Sequence, residues 1–341
     1  MLGNLVVKLV PDFKYVGTWF TSVHPNIFAR HYAIKASKAW GVANAVFGLK
    51  HQIGSLPVRE GLALYKARVD CYLTSGCELS LDTDALVTEH VEVQHLFLRR
   101  LLGLNAHSVL AVLFTETGLL PVRIRQLLLA LGRLQYMLST NSTRTVHDAL
   151  LDSVALFREG RSGWATDLAI LFRRLPTPID VGPDDLLSAE RVDAVKKEVV
   201  SVVDADLQRD IDNMVKTHLL RNRVELVDHE TGTLSLVTRR LRHYLTMVVV
   251  PAHRKAMTGL LLGDHNLSVE RLRYATRYRV AIPPELRLCR FCRAGVEDEV
   301  HALYDCRGEA RLVELRSHFL SSLKSLDPVT WGFYMIANYH Q

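Results

Sequence analysis

Residues 57–76 read PVREGLALYKARVDCYLTSG, and they decide the fold class. Val58, Leu62, Tyr65, Val69 and Tyr72 recur every three or four residues, the spacing that lines one face of an α-helix. Ser55 is the expected N-cap, Pro57 falls in the first turn, and Gly76 supplies the stop. Two neighbouring segments repeat the pattern. HVEVQHLFLRRLLG at 90–103 predicts a helix ending at Gly103, and LPVRIRQLLLALGRLQYML at 120–138 predicts another after a break at Gly118. Short helices with short connections pack as an antiparallel bundle.

Outward from this bundle the pattern changes. LVVKLV at 5–10 and FKYVGTWF at 13–20 are rich in β-branched and aromatic residues, and predict two short strands turning at Pro11-Asp12. RRLPTPIDVGPDDLL at 173–187 holds three of the eleven prolines and reads as a linker. Beyond it Val192, Val195, Val199, Val202, Leu207, Ile211 and Met214 mark a long amphipathic helix, and a last helix is expected over 309–323. The expected organisation is a β-hairpin over 1–23, a helical bundle over 24–175, a linker and connector helix over 176–235, and a basic helical region over 236–341. The fold class is mainly α.

The chain has 341 residues and a formal charge of +6, with 48% hydrophobic residues. That size suits more than one subdomain. Five cysteines are too few for a disulfide scaffold. No apolar run reaches the length of a membrane span, and the N-terminus lacks the pattern of a signal peptide, so a soluble intracellular protein with reduced thiols is expected.

Three of those five cysteines lie in CRFCRAGVEDEVHALYDC at 289–306. The pattern C-x2-C-x8-H-x4-C makes Cys289, Cys292, His301 and Cys306 candidate ligands of one structural zinc ion. Zinc takes four ligands in a tetrahedron and favours thiolate and imidazole. Arg290 and Phe291 form the expected tip, and His301 and Cys306 meet across one helical turn and a bend. A redox pair and a chance grouping are the alternatives. A catalytic zinc fits poorly, because four protein ligands leave no open position. Glu297 and Glu299 read as solvated charges, and Cys71 and Cys77 as small buried residues.

Residues 239–293 carry twelve Lys or Arg against Asp264, Glu270 and Glu285. Arg239, Arg240, Arg242, Arg254, Lys255, Arg271, Arg273, Arg277, Arg279 and Arg290, with Tyr274 and Tyr278 between them, are the candidate contacts for RNA or DNA. Guanidinium groups suit phosphates and aromatic rings suit unstacked bases. If RLRYATRYR at 271–279 is helical, Arg273 and Arg277 share a face. The alternative is a set of solvated helix faces.

Together these segments resemble the C-terminal region of reverse transcriptases from non-LTR (LINE-type) retrotransposons, especially copies of fungal type. FKYVGTWF is similar to the F-K-Y-L-G strand that follows the catalytic palm. LPVREGLALYKARV and QHLFLRRLLGL are similar to the thumb helices. ETGLLPVRIRQ matches the family's E-L-G-L-x-P-L-x-x-R, and RKAMTGLLLGDHNLSVERLRY leads into the knuckle. The resemblance covers residues 10–320, with 140–235 matching loosely.

It implies a palm-derived hairpin, a thumb-like bundle and a CCHC zinc knuckle, with RNA or DNA and other retroelement proteins as partners and the nucleus as a location. Enzymes of that family hold two metal ions on a Tyr/Phe-x-Asp-Asp turn, which this sequence lacks; Asp184-Asp185 reads as a turn. The expectation is a nucleic-acid-binding fragment that is not an enzyme. The alternatives are a helical interaction or structural domain stapled by zinc, and a decayed open reading frame.

Overall fold

The computed structural model of the chain describes residues 10–140, 144–221, 223, 225–228 and 233–326. The fold is mainly helical and divides into two units, Met1–Leu262 and Gly263–Gln341. No helix among the described residues is long and apolar enough to cross a membrane.

The first unit opens with an antiparallel hairpin, Asp12–Tyr15 against Thr18–Thr21, pairing Phe13 with Phe20 and Lys14 with Trp19. Both strands come from the second of the two expected segments, and 5–9 lie outside the described residues. The turn is at Val16-Gly17, not Pro11-Asp12. Both turn residues have positive φ, +45° and +88°, the twist that two-residue hairpin loops require.

The helix Ala29–Gly48 follows. The predicted helix then starts at Val58, with Pro57 rather than Ser55 as its cap residue, and runs through a π-helical turn, Tyr65–Val69, to Leu73. Thr88–Leu102 stops at Gly103 as expected, because Gly103 adopts φ +72° and its amide closes on the Arg99 carbonyl. Leu110–Thr117 stops the same way at Gly118. A side chain at Gly118 would also meet the Leu241 backbone nitrogen at 3.1 Å.

Two helices organise the cores. Val122–Ser139 and Ala189–Asn213 lie side by side, with Lys196 Nζ donating to Gln135 Oε1 at 2.7 Å. Ser188 caps the longer helix by accepting from the Arg191 amide at 3.3 Å. Its C-terminal half, through Val203, Leu207 and Ile211, joins a core with Phe47, Tyr65, Phe97 and Leu113. Its N-terminal half, through Val192, Val195 and Val199, joins a second core with Leu131, Leu134, Leu150, Leu168 and Phe172. Phe172 and Leu168 are fully buried, so truncating Phe172 to alanine costs about 3–5 kcal/mol.

The proline-rich stretch 173–187 is not a free tether. Leu175, Ile179, Val181 and Leu186 are buried in the second core, so the prolines shape a strap that closes the bundle. The helices Thr145–Arg158 and Trp164–Arg173 fill the same core.

The second unit is built differently. Its regular helices are the short Ser268–Arg271 and the terminal Ala310–Leu326, near the limits expected for the last helix. Among its described residues the buried hydrophobic side chains are two thiols, Cys289 and Cys306. A unit of this size whose described residues form no apolar core needs another source of stability.

Candidate metal centre

Leu288 and Val296 form an antiparallel bridge that folds 288–296 back on itself. Inside it the Cys289 amide donates to the Gly295 carbonyl at 2.8 Å, and the Arg293 amide donates to the Cys289 carbonyl at 3.0 Å. Arg293 takes φ +56°, so the chain reverses immediately after Cys292. Both sulfurs thus emerge on one side of the turn, with Arg290 and Phe291 at its tip. Of the other two candidate ligands, His301 opens the π-helical turn His301–Asp305 and Cys306 follows it. Asp298 Oδ1 accepts the His301 amide at 2.8 Å, and the Cys306 amide donates to the His301 carbonyl at 2.8 Å.

The two halves meet with their donors converging. Cys289 Sγ is 3.6 Å from Cys306 Sγ, Cys292 Sγ is 3.3 Å from His301 Nε2, and all four donor atoms lie within 4.8 Å of one another. Two sulfurs each about 2.3 Å from a tetrahedral zinc would be about 3.8 Å apart, and a sulfur and a nitrogen about 3.6 Å. The group therefore fits a metal ion. The sulfur pair is too widely spaced for a disulfide bond. Beside Cys292 the Ala294 amide brings the thiol down to about 7, whereas burial pushes the Cys306 thiol up.

Close packing holds the site. A methyl group at Gly308 would come within 2.6 Å of the Cys292 backbone nitrogen, so only glycine lets the returning chain pass. Arg316, on the terminal helix, donates to the Leu303 carbonyl at 2.6 Å and the Cys306 carbonyl at 3.0 Å. Glu297 and Glu299 are not solvated charges: both are buried. Glu297 accepts from the Ser268 amide at 2.9 Å, from the Ser268 hydroxyl, and from Arg290 Nε at 2.7 Å. Burial alone would raise its pKa, but the Ser268 and Arg290 hydrogen bonds outweigh it and hold the carboxyl below its usual range. His265 Nε2 meets Glu299 Oε1 at 2.7 Å. No local sequence signal marks the Ser268–Glu297 and His265–Glu299 contacts, because each joins residues about thirty positions apart.

The basic stretch does not form one helical face. Its members fall in both units. In the first unit Arg242 is buried, 3.7 Å from Glu116, and donates to the Val237 and Thr238 carbonyls. Arg239 pairs with Asp204, and Arg254 donates to the Val248 carbonyl at 3.0 Å. The Arg240 amide donates to the Thr115 carbonyl, and Lys255 is exposed. Glu116, itself fully buried, also receives Arg223 at 2.6 and 3.2 Å and the Tyr244 hydroxyl at 2.9 Å. The acidic residue of ETGLLP is thus the hub of a buried ion cluster.

In the second unit 271–279 is not a helix beyond Arg271. Arg279 donates to the Arg271 and Tyr274 carbonyls, which a continuing helix would have given to its own amides, and Thr276 and Arg279 close a tight turn. Arg273 turns back to Glu270 and Arg290 to Glu297, while Arg271 reaches the Ser268 hydroxyl at 3.5 Å. Among the described residues Arg277 makes no ion pair; its guanidinium lies 5.5 Å from the centre of the Tyr278 ring, and Tyr278 is 88% exposed. Tyr274 is also exposed, and Arg290 stands 5.9 Å over the exposed Phe291 ring. Of the remaining cysteines Cys77 is buried but Cys71 is exposed.

No family model matches this chain, and neither a curated protein nor a solved structure does.

Proposed function

We propose that the protein binds RNA or DNA through its second unit, and that a structural zinc ion holds that unit together. The observation that carries this reading is the turn at 276–279, which displays Tyr278 almost wholly to solvent with Arg277 stacked beside it. An exposed ring next to a guanidinium with no ion pair among the described residues offers a base a stacking platform and a phosphate a counter-charge. The four donors favour zinc over calcium or magnesium, because soft thiolates and imidazole are poor ligands for hard cations. With its coordination filled by protein, the ion would orient the turn rather than do chemistry. This is the role expected of the region that the chain resembles, the C-terminal part of a non-LTR reverse transcriptase, and the proposed activity is binding, not synthesis.

One observation favours a second reading, a helical interaction domain stapled by zinc. The terminal helix leaves Leu315, Phe319 and Leu326 exposed. Fluorescence anisotropy with a labelled single-stranded oligonucleotide at two salt concentrations separates the readings. Nucleic-acid binding predicts affinity that falls with salt. The double variant Arg277→Gln, Tyr278→Ala should lose about 1–3 kcal/mol of stacking and about 0.7 of the salt slope. Absent or salt-insensitive binding by the wild type would reject the proposal in favour of the interaction domain.

A further inference from the structure

The first unit contains a cavity of about 440 Å³ at the seam between its two cores. Leu81, Leu127 and Leu175 of one core face Val87, Val203 and Leu207 of the other across it. The size falls within the roughly 300–1,000 Å³ typical of small-molecule sites.

Its inner polar groups are already satisfied. Gln126 Nε2 donates to the Leu73 carbonyl at 2.6 Å, and the Ser80 hydroxyl donates to the Gly76 carbonyl at 3.0 Å. Burial raises the Cys77 thiol, which stays neutral. An interior that offers water so few partners favours an apolar guest.

Two guanidinium groups line the same cavity and are exposed, Arg123 and Arg174. Arg123 has one long ion pair, and Arg174 has none among the described residues. Arg174 donates to the Thr83 carbonyl, and Arg123 is 3.9 Å from Asp82. The Asp82 carboxylate is committed to the amides of Asp84, Leu86 and Val87 at 2.8–3.0 Å, and Asp206, the other acid on the wall, pairs with Arg209 at 3.3 Å. The cavity therefore combines an apolar interior with residual positive charge.

We propose that this cavity binds a small amphipathic anion, with its apolar body between the two cores and its carboxylate held by Arg123 and Arg174. The site is independent of nucleic-acid binding. It is tested by calorimetric titration of the full chain with dodecanoate, and with uncharged dodecanol, both below their aggregation limits. The wild type should take up dodecanoate at one saturable site. Leu171→Trp fills the cavity from its half-buried wall and should abolish that binding. The exposed pair Arg123→Gln, Arg174→Gln should weaken dodecanoate by about tenfold or more, the loss expected for charge-assisted hydrogen bonds, and leave dodecanol unchanged. Because those arginines are exposed, their variant decides the matter even where Leu171→Trp does not fold. No saturable binding by the wild type, or undiminished dodecanoate binding by the arginine variant, overturns the proposal.

Discussion

Replacing Cys306 with serine should unfold the second unit and spare the first. The reason lies in what each unit buries. The first has two apolar cores, in which each fully buried Leu or Phe contributes about 1.5–3 kcal/mol. The second buries no Leu, Ile, Val, Phe or Met among its described residues. Its buried groups are the metal-site thiols and charged or polar residues such as Glu297, Glu299 and Arg287, whose hydrogen bonds contribute about 1 kcal/mol each after desolvation. A structural zinc site contributes apparent binding energy of about 10–16 kcal/mol at neutral pH, which is comparable to the whole stability of a typical domain. With zinc bound as proposed, loss of one thiolate would remove a large part of that term, and the described residues of the unit offer no apolar core to compensate.

Hydrogen exchange read by mass spectrometry resolves the two units. In the variant, amides over 287–306 should lose protection, while those of Thr88–Leu102 and Val122–Ser139 keep it. A chelator acting on the wild type should reproduce the pattern. Full protection of 287–306 in the variant would refute the reasoning, because some other interaction would then be holding the unit.

Two further outcomes follow from the first unit. Glu116→Ala leaves the buried Arg242 charge without the carboxylate beside it, so it should cost about 3–5 kcal/mol in urea denaturation; a loss under about 1 kcal/mol would deny the cluster a structural role. His31 and His90 are buried with their pKa values lowered mainly by burial, and burial with the Arg99 charge holds His95 at about 4. The unfolded chain therefore binds more protons than the folded one below pH 6.5, so the stability of this unit should fall as pH drops from 6.5 towards about 4. Stability independent of pH across that window, read from exchange of Ala29–Gly48, would show that these rings are solvated.

What the sequence made legible is local. The helix ending at Gly103 and the break at Gly118 follow from apolar spacing and a glycine that can take positive φ. The long helix follows from Val192, Val195 and Val199, and the four donors follow from C-x2-C-x8-H-x4-C. What stayed hidden depends on distant partners. Glu116 meets Arg223 and Tyr244 more than a hundred residues away, and nothing near it in sequence marks it as buried. Glu297 and Glu299 looked solvated because their partners, Ser268 and His265, lie on another segment. The condition that 271–279 be helical is not met, and the Arg279 side chain takes the carbonyls that helical amides would have bonded. The strap at 173–187 was misread because prolines mark a break in regular structure whether or not the apolar residues between them are buried.

The proposed function requires a metal that holds Cys289, Cys292, His301 and Cys306 together. Elemental analysis of the purified chain, followed by X-ray absorption at the zinc edge, tests this most directly. One zinc per chain with three sulfur and one nitrogen neighbours is the predicted result. Substoichiometric metal, with the thiols of Cys289, Cys292 and Cys306 open to alkylation in the folded protein, would contradict it.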